Sequence, residues 1–152
     1  MKIKYFLPLL IFSSCNLIDN HPKCSDEEVK KLALEIFKEK VEKDLKEGFI
    51  DDKLNTDDLY QYAQANGRDY YEVIEEEKEK LKDEAEIYAI KVFNEVKLEN
   101  ILTTKLEKDI KKCECEAEIK SKYLKEIKAY YTAQYNDEGQ TYVEFLYEVK
   151  EK

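Results

Sequence analysis

The sequence predicts an α+β fold in which N-terminal helices, one short and two long, pack on a C-terminal four-stranded antiparallel meander. Three observations carry this. Apolar residues recur at helical spacing as far as Lys97 and at every second position after it. The 152 residues include only three Gly and two Pro, too few for long irregular loops. Helices followed by a run of strands is the α+β order, whereas alternation would signal a parallel sheet. Charged residues reach 40 %, yet the regular recurrence of Ile, Leu, Val, Tyr and Phe separates the chain from a disordered one.

The first long helix opens at Ser25, which with Glu28 has the spacing of a capping box, and Gly48 is placed to end it. Val29, Leu32, Ile36, Phe37, Val41 and Leu45 fall on one stripe, and Glu39 with Lys43 and Glu42 with Lys46 mark the solvated side. Thr56 caps a short helix that stops at Asn66-Gly67. Asp69, with Glu72 three residues on, starts a long one running to about Val96. The first half of that helix is polar nearly all round, with Ile74 and Leu81 as its main apolar contacts, and should pack weakly. The second half carries Leu81, Ala85, Tyr88, Val92 and Val96, with Ile90 and Phe93 alongside, and should lie on the core.

Strands are expected over 98–104, 111–120, 125–135 and 141–149. In the second, Cys113, Cys115, Ala117 and Ile119 face one way and Lys112, Glu114, Glu116 and Glu118 the other. Ile127, Ala129, Tyr131, Ala133 and Tyr135 share a face of the third; Val143, Phe145, Tyr147 and Val149 share one of the fourth. Asn136-Asp137-Glu138-Gly139 is a hairpin loop whose glycine suits a left-handed position. This alternation leaves one buried face for the helices to cover.

The opening MKIKYFLPLLIFSSC has a basic start at Lys2 and Lys4, an apolar run from Phe6 to Phe12 and small residues before Cys15. That order reads as a bacterial lipoprotein signal, with cleavage before Cys15 and lipidation of the new N-terminal cysteine, palmitate included. The apolar run is far short of the ~20 residues a spanning helix needs. Residues 1–14 are thus the signal peptide, 15–23 a tether and 24–152 a single domain. The expected location is the bacterial cell envelope, at the outer membrane in a two-membrane cell, since Asn16 replaces the Asp that marks inner-membrane retention. Losing Lys2 and Lys4 takes the net charge from −9 to about −11, which disfavours nucleic acid and anionic lipid surfaces alike. Acyl chains would be the membrane contact.

After lipidation three thiols are left, Cys24, Cys113 and Cys115, in an oxidising compartment. Adjacent same-face strand residues lie too far apart to bridge without strain, so Cys113 with Cys115 is the least favoured pairing. Cys24, at the start of a helix that must lie on the sheet, can reach either. A zinc site of His21, Cys24, Cys113 and Cys115 is weakened by His21 lying in the tether. A redox pair is weakened by Glu114 and Glu116, which would raise a thiol pKa.

CSDEEV at 24–29, LENILTT at 98–104, CECEAEI at 113–119 and IKAYYTAQYNDEGQTYVEF at 127–145 together resemble small bacterial lipoproteins with a cystatin-like or NTF2-like domain of helix plus antiparallel sheet. The resemblance implies that fold and a disulfide between the early cysteine and the second strand. Cys115, in its C-x-A pattern, is then the partner of Cys24, with Cys113 the alternative. Such a bond would stabilise the fold by ~4 kcal/mol in the chain-entropy model. No catalytic residues follow from the resemblance.

Other chemistry fails on its own terms. Asp51, Asn55 and Asp57 suggest a calcium loop, but Thr56 stands where the sixth position needs Gly and Tyr62 where the twelfth needs Glu. There is no GxSxG elbow, no second His and no phosphate-cradling glycine loop. The reading is therefore a binding protein with no catalytic site, metal or cofactor, acting on a protein or peptide partner in the envelope as an inhibitor or immunity-type factor. The alternative is an enzyme or small-ligand carrier with an NTF2-like pocket between helices and sheet. Twelve tyrosines against no tryptophan point to the surface: Tyr60, Tyr62, Tyr70 and Tyr71 cluster about the 66–68 turn, and Tyr130 and Tyr142 lie on the outer sheet face. Tyrosine is enriched at interfaces, though it also roofs the edges of small cores.

Overall fold

The computed structural model describes residues 21–149, so Cys15 and the expected signal lie outside the described residues. The element order is α1 (Glu27–Lys53), α2 (Thr56–Ala65), α3 (Tyr70–Glu95), β1 (Lys97–Glu107), β2 (Lys112–Lys120), β3 (Ile127–Tyr135) and β4 (Thr141–Val149). The four strands form one antiparallel sheet in the order β1-β2-β3-β4, a meander. The described residues divide into two compact units, Lys38–Glu95 being one and residues 21–37 with 96–149 the other. The continuous helix α1 contributes to both.

In the sheet unit the period-2 pattern sets the register. Cys113 pairs with Ala133, Cys115 with Tyr131, Ala117 with Ala129 and Ile119 with Ile127, so the inward face of β2, and that of β3 as far as Ala133, is buried, while Tyr135 at the end of β3 is half-buried. Across the next seam Tyr131 pairs with Phe145 and Ala133 with Val143. Alanines in adjacent strands keep the floor low, leaving depth for a bulky group from the helix. Phe37, fully buried, fills it: its ring lies 5.5 Å from Tyr147, edge-on, and 6.0 Å from Phe145. Val29, Ala33 and Ile36 are buried on the same stretch of α1. The edge strand β1 is different, mostly exposed and with register shifts between Glu99 and Leu102 and between Thr103 and Lys105. At the β3–β4 hairpin Gly139 has φ +77°, and Asn136 Oδ1 accepts from the amides of Glu138 and Gln140 at 3.0 and 2.8 Å.

In the helical unit α2 packs on α3, and the later part of α1 meets α3 through a Phe49–Tyr88 stack at 4.8 Å and through Lys46, which bridges Glu42 and Glu86. The hydrogen bonds to these two carboxylates, Glu42 first, raise the Lys46 pKa.

Three helix ends differ from the sequence reading, and among the strands β1 runs on to Glu107, past the expected 104, while β3 starts at Ile127 and not at 125. The N-cap of α1 is Asp26: its carbonyl accepts from Lys30 N at 2.9 Å and its carboxylate accepts from Lys23 N at 2.9 Å, so Ser25 is left outside. Gly48 does not end α1, which continues to Lys53, because a helical glycine costs only about 1 kcal/mol and Phe49 gains a ring partner just beyond it. The N-cap of α2 is Asn55, whose side chain accepts from Asp58 N, while Thr56 is the first helical residue. In α3, Ile90 is exposed, and Ala89 and Val73 are buried in addition to Ala85 and Val92.

Phe37→Ala should destabilise the protein by about 3–5 kcal/mol in denaturant melts, while Leu146→Ala on the exposed sheet face should change stability by less than about 0.5 kcal/mol.

Candidate functional site

Two places concentrate side chains that packing does not consume: the turn between α2 and α3, and the cysteine cluster under the sheet. The turn is tightly built. α2 ends on Asn66, Gly67 takes φ +61°, where a side chain would be strained, and Arg68 N donates back to Ala63 O at 2.9 Å. Asp69 then caps α3, its Oδ1 accepting from Glu72 N at 3.1 Å, as its spacing to Glu72 foretold. Arg68, the only arginine in the sequence, forks onto Glu76 with Nη1–Oε2 3.0 Å and Nη2–Oε1 2.7 Å. The hydrogen bond to Arg68 holds the Glu76 carboxyl below its usual range, and the same pair raises Arg68. Pattern reading passed over Arg68; its being a lone arginine among lysines was the available signal, because bidentate pairing needs the planar fork.

On this frame sit four tyrosines. Tyr71 is 75 % exposed, Tyr62 52 % and Tyr60 49 %, so all three lie outside the core. Tyr70 is half-buried and meets Tyr60 edge-on at 5.5 Å and Tyr71 at 5.6 Å. Gln64 Nε2 donates to Tyr60 OH at 2.7 Å. The helix leading away carries Glu72, Glu75, Glu77 and Glu79, the last three each with a lysine three residues on. The site is an aromatic knuckle with an acidic flank, suited to burying against a flat or cationic surface rather than to acid–base chemistry.

The outer sheet face places Tyr130 and Tyr142 half-buried. The register aligns Leu102, Glu116, Tyr130 and Leu146 in one row across the four strands, with Leu102 and Leu146 over 60 % exposed. Leu146 was hidden in the sequence by its neighbours, since six apolar or aromatic residues in TYVEFLYEV cannot all face one way.

The cysteine cluster is buried. Cys24 and Cys115 are joined in a disulfide with Cα atoms 5.6 Å apart, and Cys113 is a free thiol whose Sγ lies 3.7 Å from that of Cys115. Tyr131, the cross-strand partner of Cys115, donates its hydroxyl to the Cys24 carbonyl at 2.8 Å. Burial pushes the Cys113 thiol up, with the Asp26 carboxylate adding to it; Glu114 and Glu116, on the other face of β2, are not the cause. His21 does not join the three cysteines. Asp51, Asn55 and Asp57 lie around the α1–α2 junction, where Asn55 serves as the helix cap.

No known family model, curated protein or solved structure matches the chain.

Burial raises the Tyr131 pKa well above the ordinary value of about 10. The unfolded chain therefore gives up this proton first, and the stability Tyr131 contributes is present below about pH 10 and lost as pH rises beyond it. Tyr131→Phe should flatten the alkaline fall in urea-melt stability and cost about 1–3 kcal/mol at neutral pH, where it leaves the Cys24 carbonyl without its donor.

Proposed function

We propose that the protein is a lipid-anchored envelope factor that acts by binding a protein or peptide partner through the aromatic knuckle at the α2–α3 turn. The observation that carries this is the exposure of Tyr60, Tyr62 and Tyr71 on a turn whose backbone is fixed by the Gly67 conformation, the Asp69 cap and the Arg68–Glu76 fork. Rigid aromatic groups lose little freedom on association, and binding hot spots are built from them. The acidic residues beside the knuckle favour a partner with a basic surface, and an inhibitor or immunity-type role is consistent with a net charge of −9. Anchoring rests on Cys15 and the order of residues before it.

Changing Tyr62 and Tyr71 together to Ser should weaken capture of a partner from envelope extract by more than ~1 kcal/mol with Tm unchanged. Unchanged capture, or a large loss of Tm, would refute the knuckle. Cys15→Ala should release the chain from the membrane fraction or leave its signal uncut; processing and sedimentation like wild type would refute the anchor.

A further inference from the structure

The three cysteines can do more than form one bond. Their Sγ atoms all lie within 4.8 Å of one another, and each side chain is buried. Such an arrangement is a triangle, whereas thiol–disulfide exchange needs the attacking sulfur on the extension of the bond it breaks. Convergence of three sulfurs on one point suits a different chemistry. We propose that, when the Cys24–Cys115 bond is open, Cys24, Cys113 and Cys115 form a three-thiolate site for a soft closed-shell cation, Zn²⁺ being the best match.

Two features support it. First, the Cys113 and Cys115 sulfurs are 3.7 Å apart, and two thiolates on a tetrahedral zinc, each with a bond of about 2.3 Å, stand about 3.8 Å apart. These two residues share one face of β2, a strand paired on both sides by β1 and β3, so the sheet holds their backbone positions whether or not the disulfide is formed. Second, Cys24 has an attachment of its own, the hydrogen bond from Tyr131 to its carbonyl, which opening the S–S bond does not remove. Three thiolates with Zn²⁺ leave one net negative charge, against two with Cu⁺, and in a buried site the smaller residual charge is preferred.

The site and the disulfide exclude each other. To pass from one to the other, the Cys24–Cys115 bond takes two electrons and two protons from a dithiol reductant, which leaves as its own disulfide. The metal then displaces the three thiol protons to solvent. A chain that has not yet been oxidised enters the same state directly. A disulfide oxidant re-forms the Cys24–Cys115 bond, accepts the two electrons with two protons and leaves as a dithiol; two of the three ligands are lost, the ion is released and Cys113 takes up a proton from solvent.

The test uses the full chain in detergent, reduced with a phosphine and titrated anaerobically with Cd²⁺, whose thiolate bonds absorb in the ultraviolet. Expected are saturation at one Cd²⁺ per chain, a higher Tm for the reduced protein with Cd²⁺ or Zn²⁺ than without, and no binding by the oxidised protein. Cys113→Ser, which keeps the disulfide so that its fold can be verified before reduction, should bind roughly tenfold or more weakly. Absence of saturable binding, equal affinity in Cys113→Ser, or a reduced chain whose sheet signal is lost and not restored by the metal would each overturn the proposal.

Discussion

Residue 24 is fastened to two neighbouring strands at once, and the sheet unit depends on that. Its sulfur is bonded to Cys115 on β2 and its carbonyl accepts the hydroxyl of Tyr131 on β3, the residue directly across from Cys115. The two links differ in kind. The disulfide spans 91 residues and acts mainly by restricting the unfolded chain, by about 4 kcal/mol in the chain-entropy model. The hydrogen bond acts in the folded state and removes a buried carbonyl's desolvation penalty. Asp26, two residues on, caps α1, so the fastening point and the helix start are nearly the same place. Val29, Ala33, Ile36 and Phe37 are thereby delivered to a face that β2, β3 and β4 have left apolar.

The sheet was the most legible part of the sequence. In β2 and β3 every second residue is buried, with Tyr135 at the end of β3 the half-buried exception, because both strands are interior and one face of each is covered. At the edges the rule weakens: β1 bends through two register shifts, and Val149 at the end of β4 is half exposed though its alternation places it inward. Helix boundaries were less legible. Ser25, Asp26, Asn55 and Thr56 are all competent caps, and sequence spacing cannot choose between neighbours whose choice depends on the entry angle of the chain. Gly48 misled because a glycine ends a helix only where the next turn has nothing to gain. Small residues were underweighted too: Ala33 and Ala89 are buried, yet a search for large apolar side chains passes over them.

Candidate sites were legible to the degree that composition exposed them. A surplus of tyrosine was visible in the sequence, but which tyrosines face solvent was settled by the turn geometry at Gly67 and by Arg68, whose partner Glu76 is eight residues away. For the cysteines, alternation placed Cys113 and Cys115 on one face and the helix start put Cys24 within reach of either; the folded chain bonds Cys24 to Cys115 and leaves Cys113 free, its sulfur 3.7 Å from that of Cys115.

The central claim, that residue 24 is held by two mutually supporting links, is tested most directly by a double-mutant cycle on unfolding free energy with Cys24→Ala, Tyr131→Phe and the pair. Removing the disulfide frees the segment that the hydrogen bond must find, so Tyr131→Phe should cost less in the Cys24→Ala background, with a coupling above about 0.5 kcal/mol. Additive losses would show that the two links act independently, and would contradict the account.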